Sequence, residues 1–450
     1  MNEFNYSKVV RLIHGLLERL PILMALALFA VVASQLVSRE LDLVVYWQGA
    51  QQVFIHGVEP YTRPDGEGLP FTYPPTALFL FWPLHELSLE QAGQLLWTLN
   101  LALALVVLFW LPRDLAWTGT ADPSSRMAGD RLRRWGPLYV ASFGGLYLTL
   151  HFHQLNLLLL LCLWMYWRVL RRANAMPGAL SASHWLGQLG AGAALAFGSV
   201  AKPHYGLLLL GAFGCLRRPS RLGPSVNLLI GAVVGGALLL ILSLALVPSG
   251  SWSEWLAQVP GSTSYTALPP GHSSIAAPWN RSIAGEVARW LVPNKFTKPL
   301  APNPELAALL TTAAVLLLTV TTGWALLGSL RTRARRCAAG LGPDPIAVDL
   351  ELSLLSLWVF LAAPASWTHH LVMLLPAALV LLRDAVLDAR ASGLGRWAAG
   401  LVLMVLALTL DDLIGRDLRI GSPALLALMT IAVFGLWLLL LERLLRHRAQ

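Results

Sequence analysis

The sequence has little charge and few cysteines. Charged residues make up 13% of the 450 residues, against 56% hydrophobic residues, whereas a soluble domain carries roughly 25% charge. This shortage of charge argues against a soluble protein. The three cysteines are isolated, so no disulfide framework is suggested; they are Cys162, Cys215 and Cys337.

Several familiar signatures are also missing. The sequence shows no glycine-rich nucleotide-binding loop, no cysteine-based metal motif and no soluble catalytic domain. The net charge of +9 raises the question of nucleic-acid binding, but in a membrane protein an excess of cations more often reflects orientation in the bilayer. We therefore expect no nucleic-acid partner and no cofactor.

Long apolar runs, by contrast, recur from end to end. A helix needs about 20 apolar residues to cross about 30 Å of hydrocarbon, and the alternating pattern of barrel strands is absent, so helices are expected. The sequence predicts an all-α integral membrane protein, a single multispan bundle over residues 1–450. We predict about twelve spans, near 20–38, 91–112, 137–150, 154–168, 186–201, 204–216, 226–247, 306–330, 351–364, 371–383, 397–410 and 422–441. The first run is interpreted as an uncleaved span rather than a signal peptide.

Charge predicts the orientation of these spans. Most of the 33 lysines and arginines fall in the N-terminal segment, in five loops and in the C-terminal tail, all on one side. The positive-inside rule assigns that side, with both termini, to the cytoplasm. Most histidines fall on the other side, so chemistry is expected at the outer face of a bacterial inner membrane; they are His56, His85, His151, His153, His204, His272, His369 and His370.

Two long segments lie on the predicted outer side, 39–90 and 248–305. Within the first, the stretch 74–87 is too short for an ordinary span and begins with two prolines. We interpret it as an interfacial helix of this first loop, and a short hairpin entering the membrane is the alternative.

The first outer loop carries an acid close to the end of the first span. Asp42 lies in the run DLVVYW, which is followed by GVEPY at 57–61 and FTYPP at 71–75. At the membrane surface a carboxylate can deprotonate a sugar hydroxyl as a general base. Taken alone, Asp42 could equally cap a surface helix.

Further polar residues follow in short outer turns. Lys202 in AKPHY is either a snorkelling anchor or a point charge for phosphate. Arg281 and Arg289 either pair with phosphate or are solvated loop cations. The adjacent His369 and His370 of SWTHH suggest metal binding, interfacial structure, or phosphate or hydroxyl recognition. Neighbouring histidines rarely bind one ion, and no acidic or cysteine partner is near, so we expect no metal.

Together these motifs resemble glycosyltransferase family 87 of the GT-C superfamily, whose members are mannosyltransferases that use polyprenyl-phosphate-mannose. The matching pieces are DLVVYW with Asp42, GVEPY, FTYPP, HQLN with Gln154 and Asn156, AKPHY with Lys202, NRSIAG with Asn280 followed by Arg289, and SWTHH with His369 and His370. They run in family order over roughly residues 39–380. Two positions depart from the pattern: His153, where members often have glycine, and Arg281, where glutamine is common.

The resemblance implies a multispan core with a catalytic acid in the first outer loop and a lipid-phosphate sugar donor. It predicts an inverting hexosyltransferase that moves a hexose, most simply mannose, to a lipid-linked or nascent glycan. Asp42 would act as general base, and the donor phosphate would be bound by Lys202, His369 and His370 with Arg281 or Arg289. The sugar and acceptor pocket would contain Tyr46, Tyr61, Tyr73, Gln154, Asn156, His204 and Asn280.

Three other functions remain open on sequence grounds. A transporter or flippase has the same gross hydropathy, but its ionisable residues would lie near the bilayer midplane, and the spans here are nearly free of charge. A scaffold subunit without catalysis is disfavoured by the presence of Asp42 and Lys202. A transferase that uses another polyprenyl-phosphate sugar is the third.

Overall fold

The protein is all-helical in a computed structural model that describes residues 6–36, 41–61, 69–119, 122–173, 182–215, 224–262, 264–266, 272–339, 344–388, 392–408 and 422–449. Over these residues there is no β-strand, and a single antiparallel bridge joins Asn280 to Trp367. The predicted fold class, a bundle of helices, is confirmed at this level.

The helices follow one another along the chain, and the connections before Pro75 and before α11 are longer than most. In chain order they are α1 (Tyr6–Gln35), α2 (Leu41–Phe54), α3 (Leu78–Phe81), α4 (Leu89–Ala116), α5 (Pro123–Ser142), α6 (Gly144–His151), α7 (Asn156–Ala173), α8 (Ala182–Ser199), α9 (Pro224–Leu246), α10 (Gly250–Ser262), α11 (Ile283–Leu291), α12 (Pro304–Ala338), α13 (Pro345–Ala362), α14 (Leu375–Leu381), α15 (Gly393–Leu408) and α16 (Pro423–Ala449). Tighter 3₁₀ turns cover Pro75–Ala77, Trp82–Leu84, Pro203–Cys215 and Thr368–Leu374, and a π-helical turn covers Leu382–Val386.

Seven helical stretches in the described chain are long and apolar enough to cross a membrane, which makes this a multi-pass membrane protein. They are Glu18–Gln35, Leu89–Ala116, Val226–Leu246, Pro304–Arg336, Pro345–Ala362, Thr368–Val386 and Pro423–Arg448. Other predicted spans fall on helices that are shorter or more polar, such as α6, α7, α8 and α15. The number twelve therefore stays a prediction.

α13 lies at the centre of the bundle. Its apolar window is 83% buried, whereas the windows of α1 and α12 are only 17% buried. The 3₁₀ turn Thr368–Leu374 and α14, which follow α13, are also almost entirely buried. Residues at the C-terminal end of α13 therefore sit inside the protein, where polar groups need partners.

The stretch predicted as an interfacial helix is a series of three short turns, Pro75–Ala77, α3 and Trp82–Leu84. Proline lacks a backbone N–H and interrupts regular helices, and prolines occupy the first or second position of both 3₁₀ turns. The stretch buries Ala77, Leu78 and Phe81 against the core. Its depth in the membrane stays a prediction.

α8 and α9 run parallel in close contact, and glycines permit that approach. A Cβ at Gly192 would collide with the carbonyl of Leu228, and one at Gly231 would collide with the carbonyl of Leu189. Small residues at a helix crossing are the usual means by which membrane helices approach each other. At one end of the pair, the buried Asn227 amide donates to Gln188 Oε1 at 2.8 Å.

We expect Gly192→Ala to lower the melting temperature of the detergent-solubilised protein, because overpacking costs about 1–3 kcal/mol. Gly190→Ala is the matched control on the same helix. No atom lies within 4 Å of a Cβ at that position, and alanine favours a helix over glycine by about 1 kcal/mol. Equal melting temperatures for the two variants would contradict the close approach.

Candidate functional site

Asp42 lies in the first turn of α2 and is half-buried. Burial raises the pKa of its carboxyl group to about 6, while a hydrogen bond with Gln154 and the charge of Lys202 act in the opposite direction. The N-terminal turn of a helix also favours a negative charge. The carboxylate is therefore ionised at neutral pH and still basic enough to accept a proton efficiently.

Lys202 brings a buried positive charge to the same place. It sits in the turn between α8 and Pro203–Cys215, its residue is 5% exposed, and its ammonium group donates to Asn156 Oδ1 at 2.5 Å. Burial lowers the pKa of Lys202 well below its ordinary value, and the charge of Asp42 raises it. Among the described residues no carboxylate forms an ion pair with it. Such a cation in a poorly solvated setting is a ready partner for an anion.

Asn156 connects Lys202 to the segment that follows α13. Its Nδ2 donates to the carbonyl of His369 at 3.2 Å. The hydroxyl of Thr149 donates to the same carbonyl at 3.2 Å. The two ends of the α6–α7 turn thus fix the backbone at His369 beside the lysine.

Three imidazoles surround Lys202 within electrostatic range. The rings of His369 and His370 are 4.5 Å apart, and the Nδ1 of His370 accepts from the backbone N–H of Trp367 at 3.2 Å. That bond leaves the Nε2 of His370 as its proton-bearing nitrogen when the ring is neutral. Burial, with the charge of Lys202, lowers the pKa of His204 to about 4.

An aromatic cluster lies beside Asp42. Tyr46 stacks on Phe81 with ring centroids 4.3 Å apart, and its ring is also 5.6 Å from that of Tyr73. The Tyr46 hydroxyl donates to Gln154 Oε1 at 2.8 Å and lies 3.1 Å from the Tyr73 hydroxyl. Tyr61 donates to the Tyr73 carbonyl at 2.6 Å. The three predicted tyrosines therefore form one group.

Asn280 joins the second long loop to the segment after α13. Its Nδ2 donates to the carbonyls of Ile275 and Pro364, each at 3.0 Å. Its Oδ1 accepts from the N–H groups of Ser282 at 3.2 Å and Ser366 at 2.9 Å. Both donors and both acceptor positions of the amide are used within the fold. Asn280 therefore supports the fold rather than presenting its amide to a ligand.

The two predicted arginines also turn into the fold. Arg281 is fully buried and donates to the Leu426 carbonyl at 2.8 Å and to Thr368 Oγ1 at 3.3 Å. Arg289 is fully buried and donates to the carbonyl of Asn280 at 2.8 Å and to Glu286 at 2.6 Å. Sequence spacing could not show this, because carbonyl partners have no side-chain signature.

His153 explains one of the two departures from the family pattern. It has a φ of 52°, a left-handed conformation that glycine adopts without strain and other residues adopt less readily. Glycine at this position would fit the same tight turn. In this chain the imidazole is buried and its ring lies 6.1 Å from that of Trp97.

A second set of buried charges lies at the far end of the bundle. Asp349 near the start of α13 pairs with Arg171 at 2.7 Å and with Arg383 at 2.7 Å, and Glu351 pairs with Arg333 at 2.8 Å. Arg171 is about 22 Å along α7 from Asn156. The prediction that the spans are nearly free of charge is thus incomplete, although each of these charges is paired with one of opposite sign.

The structure therefore brings part of the predicted set together. Asp42, Gln154, Tyr46 and Tyr73 form one side of the site, and Lys202 with its neighbours forms the other; those neighbours are Asn156, His204, His369 and His370. Asn280, Arg281 and Arg289 lie in the supporting layer behind Ser366. Sequence reasoning missed Thr149, since a lone threonine in an apolar run carries no distinguishing pattern.

A known protein is similar to this chain over most of its length. Over 356 residues the chain is 27% identical to a polyprenol-phosphate-mannose-dependent alpha-(1-2)-phosphatidylinositol mannoside mannosyltransferase of Mycobacterium tuberculosis (strain ATCC 25618 / H37Rv). The alignment covers 76% of this chain and 70% of the relative. No solved structure matches.

A family model, glycosyltransferase family 87, matches residues 71–342, which is more than half of the chain. The matched range leaves out Asp42 and Ser366–His370, and the fold places both beside residues inside it. On this match the chain belongs to glycosyltransferase family 87.

Proposed function

We propose that the protein transfers a hexose, in the simplest case mannose, from a polyprenyl-phosphate donor to a hydroxyl group of a lipid-linked or nascent glycan. The observation that carries the proposal is the placement of Lys202, a buried cation with no carboxylate ion-pair partner in the described chain, close to the half-buried carboxylate of Asp42. A base for the acceptor and a counter-charge for the leaving phosphate are what this transfer needs. The dependence of the mycobacterial relative on polyprenol-phosphate-mannose supports the same donor class.

In the proposed reaction the acceptor oxygen attacks the anomeric carbon while Asp42 takes its proton. The bond from that carbon to the phosphate oxygen breaks, and the phosphate leaves with the electron pair. The transition state has oxocarbenium character, as in other glycosyl transfers. Direct displacement from the opposite face inverts the anomeric configuration.

The leaving phosphate gains negative charge, and preorganised donors stabilise it best in a water-poor site. Lys202 supplies the charge, and His369 and His370 supply neutral N–H donors beside it. His204, Asn156, Tyr61 and Tyr73 are proposed to shape the pocket for the sugar and acceptor. Arg281, Arg289 and Asn280 are proposed to act one layer back, because their polar groups already bond the fold.

The proposed setting is a bacterial inner membrane, with both termini cytoplasmic and the site facing outward. Nucleotide sugars are cytoplasmic, so transfer at the outer face requires a donor that has already crossed, held by its lipid tail. The partners are then the polyprenyl-phosphate sugar, a glycan or glycolipid acceptor and the lipid bilayer. The excess of cations on one side of the predicted topology supports this orientation.

Two alternatives would use the same scaffold. A transferase with another polyprenyl-phosphate sugar would keep every residue role above. A transporter or flippase of lipid-linked or small substrates would require a sealed compartment to act. Turnover by the detergent-solubilised protein separates the transferase from the transporter.

Asp42→Asn should reduce transfer by about 100- to 10,000-fold, because asparagine keeps the shape but accepts no proton. The measurement is transfer of radiolabelled mannose from synthetic polyprenyl-phosphate-mannose in membranes. Asp130→Asn, at an exposed position on α5 that pairs with Arg133, is the matched control and should transfer as wild type does. Near wild-type transfer by Asp42→Asn would remove the proposed general base.

Lys202→Met should reduce transfer by about 100-fold, because the leaving phosphate loses its counter-charge. Lys298→Met, at an exposed loop position, controls for loss of a lysine. Since the charge of Lys202 lowers the pKa of Asp42, the residual activity should also need a higher pH. A Lys202→Met protein with wild-type kinetics would exclude Lys202 from the phosphate site.

The pH dependence of wild-type transfer should follow ionisation of Asp42. Its pKa is raised to about 6, and the base acts only when ionised, so the rate should fall about tenfold per pH unit below pH 6 and level off above it. The measurement is the initial transfer rate between about pH 4.5 and pH 8, at roughly half-unit steps. It shows the pH at which the rate begins to fall. A rate that stays level down to about pH 5, as an Asp with the ordinary pKa of about 3.9 would give, would contradict the burial of this carboxyl group.

A further inference from the structure

Asn156 lies between two parts of the proposed phosphate site. It is the first residue of α7 and is 1% exposed. Its Oδ1 accepts from the Lys202 ammonium group at 2.5 Å, and its Nδ2 donates to the His369 carbonyl at 3.2 Å. The amide therefore joins the turn after α8 to the segment after α13. Both of its polar atoms bond groups of the protein, which favours a role through those groups over a contact with the sugar.

The chemistry of the two partners allows the amide a single orientation. An ammonium group only donates and a backbone carbonyl only accepts, so Oδ1 must face Lys202 and Nδ2 must face His369. A carboxylate of the same size would accept from the lysine but could not donate to the carbonyl. A glutamine would place the same two atoms one methylene group further along. Asparagine is thus the side chain whose length and polar atoms fit both bonds.

The partner of Lys202 is neutral, whereas buried arginines at the far end of the bundle meet a carboxylate. Arg171 and Arg383 both pair with Asp349. Within the described chain no carboxylate forms an ion pair with Lys202. A buried charge without a counter-ion is costly, and an amide partner lowers that cost without cancelling the charge. The positive charge is therefore kept for an anion that enters the site.

The His369 carbonyl has a second, weaker attachment. The Thr149 hydroxyl lies 3.2 Å from the His369 carbonyl and 3.0 Å from the Gly145 carbonyl. One hydroxyl proton cannot serve both acceptors fully, so Asn156 supplies the donor that the His369 carbonyl does not share. The ring of His370 follows, 4.5 Å from that of His369. Without Asn156, the shared hydroxyl alone would hold this carbonyl and the backbone that carries both imidazoles.

We infer that Asn156 is a positioning residue, which holds the Lys202 ammonium group beside the His369–His370 segment and leaves its charge unneutralised for the substrate phosphate. The inference rests on the proposed function, in which Lys202 is the counter-charge of the leaving phosphate. Asn156 acts through Lys202 and the His369 backbone rather than through the sugar. It makes no covalent bond and gives up no proton during transfer.

The test compares two substitutions of Asn156 that differ in charge. Asn156→Asp has nearly the same shape and keeps an acceptor for Lys202, but it loses the donor to His369 and adds a negative charge. Its kcat should fall about 100-fold, because the counter-charge of the leaving phosphate is cancelled. Asn156→Gln adds no charge but displaces both polar atoms by a methylene group, and it should lower kcat about 10- to 100-fold.

The second measurement is inhibition by synthetic polyprenyl phosphate, the carrier product of the proposed transfer. A phosphate monoester carries a charge of about −1.5 to −2 at neutral pH, whereas the phosphodiester of the donor carries a single negative charge. An added carboxylate therefore repels the product more than the donor. In Asn156→Asp the inhibition constant of polyprenyl phosphate should rise about tenfold more than the KM for polyprenyl-phosphate-mannose. In Asn156→Gln the two constants should keep their wild-type ratio.

Asn227→Asp is the matched control. Asn227 lies on α9, is 4% exposed, and its amide donates to Gln188 Oε1 at 2.8 Å. Gln188 lies about 17 Å from the end of α8 that leads to Lys202. The same change of a buried amide to a carboxylate there should leave the ratio of the two constants at its wild-type value. Melting temperatures in detergent identify any variant that fails to fold, and Asn156→Gln then serves in place of Asn156→Asp.

The outcomes separate this inference from the proposed function. If wild type transfers and Lys202→Met does not, but both Asn156 variants have the wild-type kcat and the wild-type ratio of constants, the positioning role is overturned and the proposed function stands. If Asn156→Asp raises both constants equally and keeps the wild-type kcat, Asn156 contacts the substrate and the inference is again overturned. If Lys202→Met transfers normally, the proposed role of Lys202 fails first.

Discussion

The hydrogen bond from Lys202 to Asn156 is the contact on which the site depends. A buried ammonium group is costly unless it is bonded and faces a counter-charge, and here a neutral amide at 2.5 Å satisfies part of that need. The same amide holds the His369 carbonyl, so α7, the α8 turn and the segment after α13 meet at one point. An anion that enters the site completes the balance of charge.

Buried polar contacts elsewhere hold this meeting point in place. Asn280 bonds four backbone groups across the second long loop and the segment after α13. At the far end, Asp349 pairs with arginines from α7 and from the π-helical turn. Removing one partner of a buried ion pair costs about 3–5 kcal/mol. These contacts therefore fix how α7 and α13 lie against each other. At the opposite end, α7 carries Asn156, and the segment after α13 carries His369 and His370.

Family membership and geometry contribute different parts of the picture. The family match covers residues 71–342. This range includes the part of the scaffold that carries Gln154, Asn156, Lys202 and Asn280. The fold adds Asp42 from the N-terminal side and His369 from the C-terminal side. The relative, at 27% identity, depends on polyprenol-phosphate-mannose, which supports the proposed class of donor. Arg281 and Arg289 show how a motif residue can serve the fold, since Arg281 donates to a carbonyl group and a hydroxyl group and Arg289 to carbonyl groups and a carboxylate.

The sequence by itself determined the class of fold and several chemical candidates. Apolar run length is a local property, so helices that can cross a membrane were predictable, and Asp42, Lys202 and the histidine pair stood out as polar residues next to such runs. Only the tertiary structure decided which residues act together. Tyr46 and Gln154 are 108 positions apart, and Lys202 and Asn156 are 46 apart. The burial of Asp349 and the inward turn of the two arginines likewise depend on neighbours distant in the chain. Hydrogen bonds between remote segments leave no periodic trace in the sequence, because their partners are set by how the helices pack.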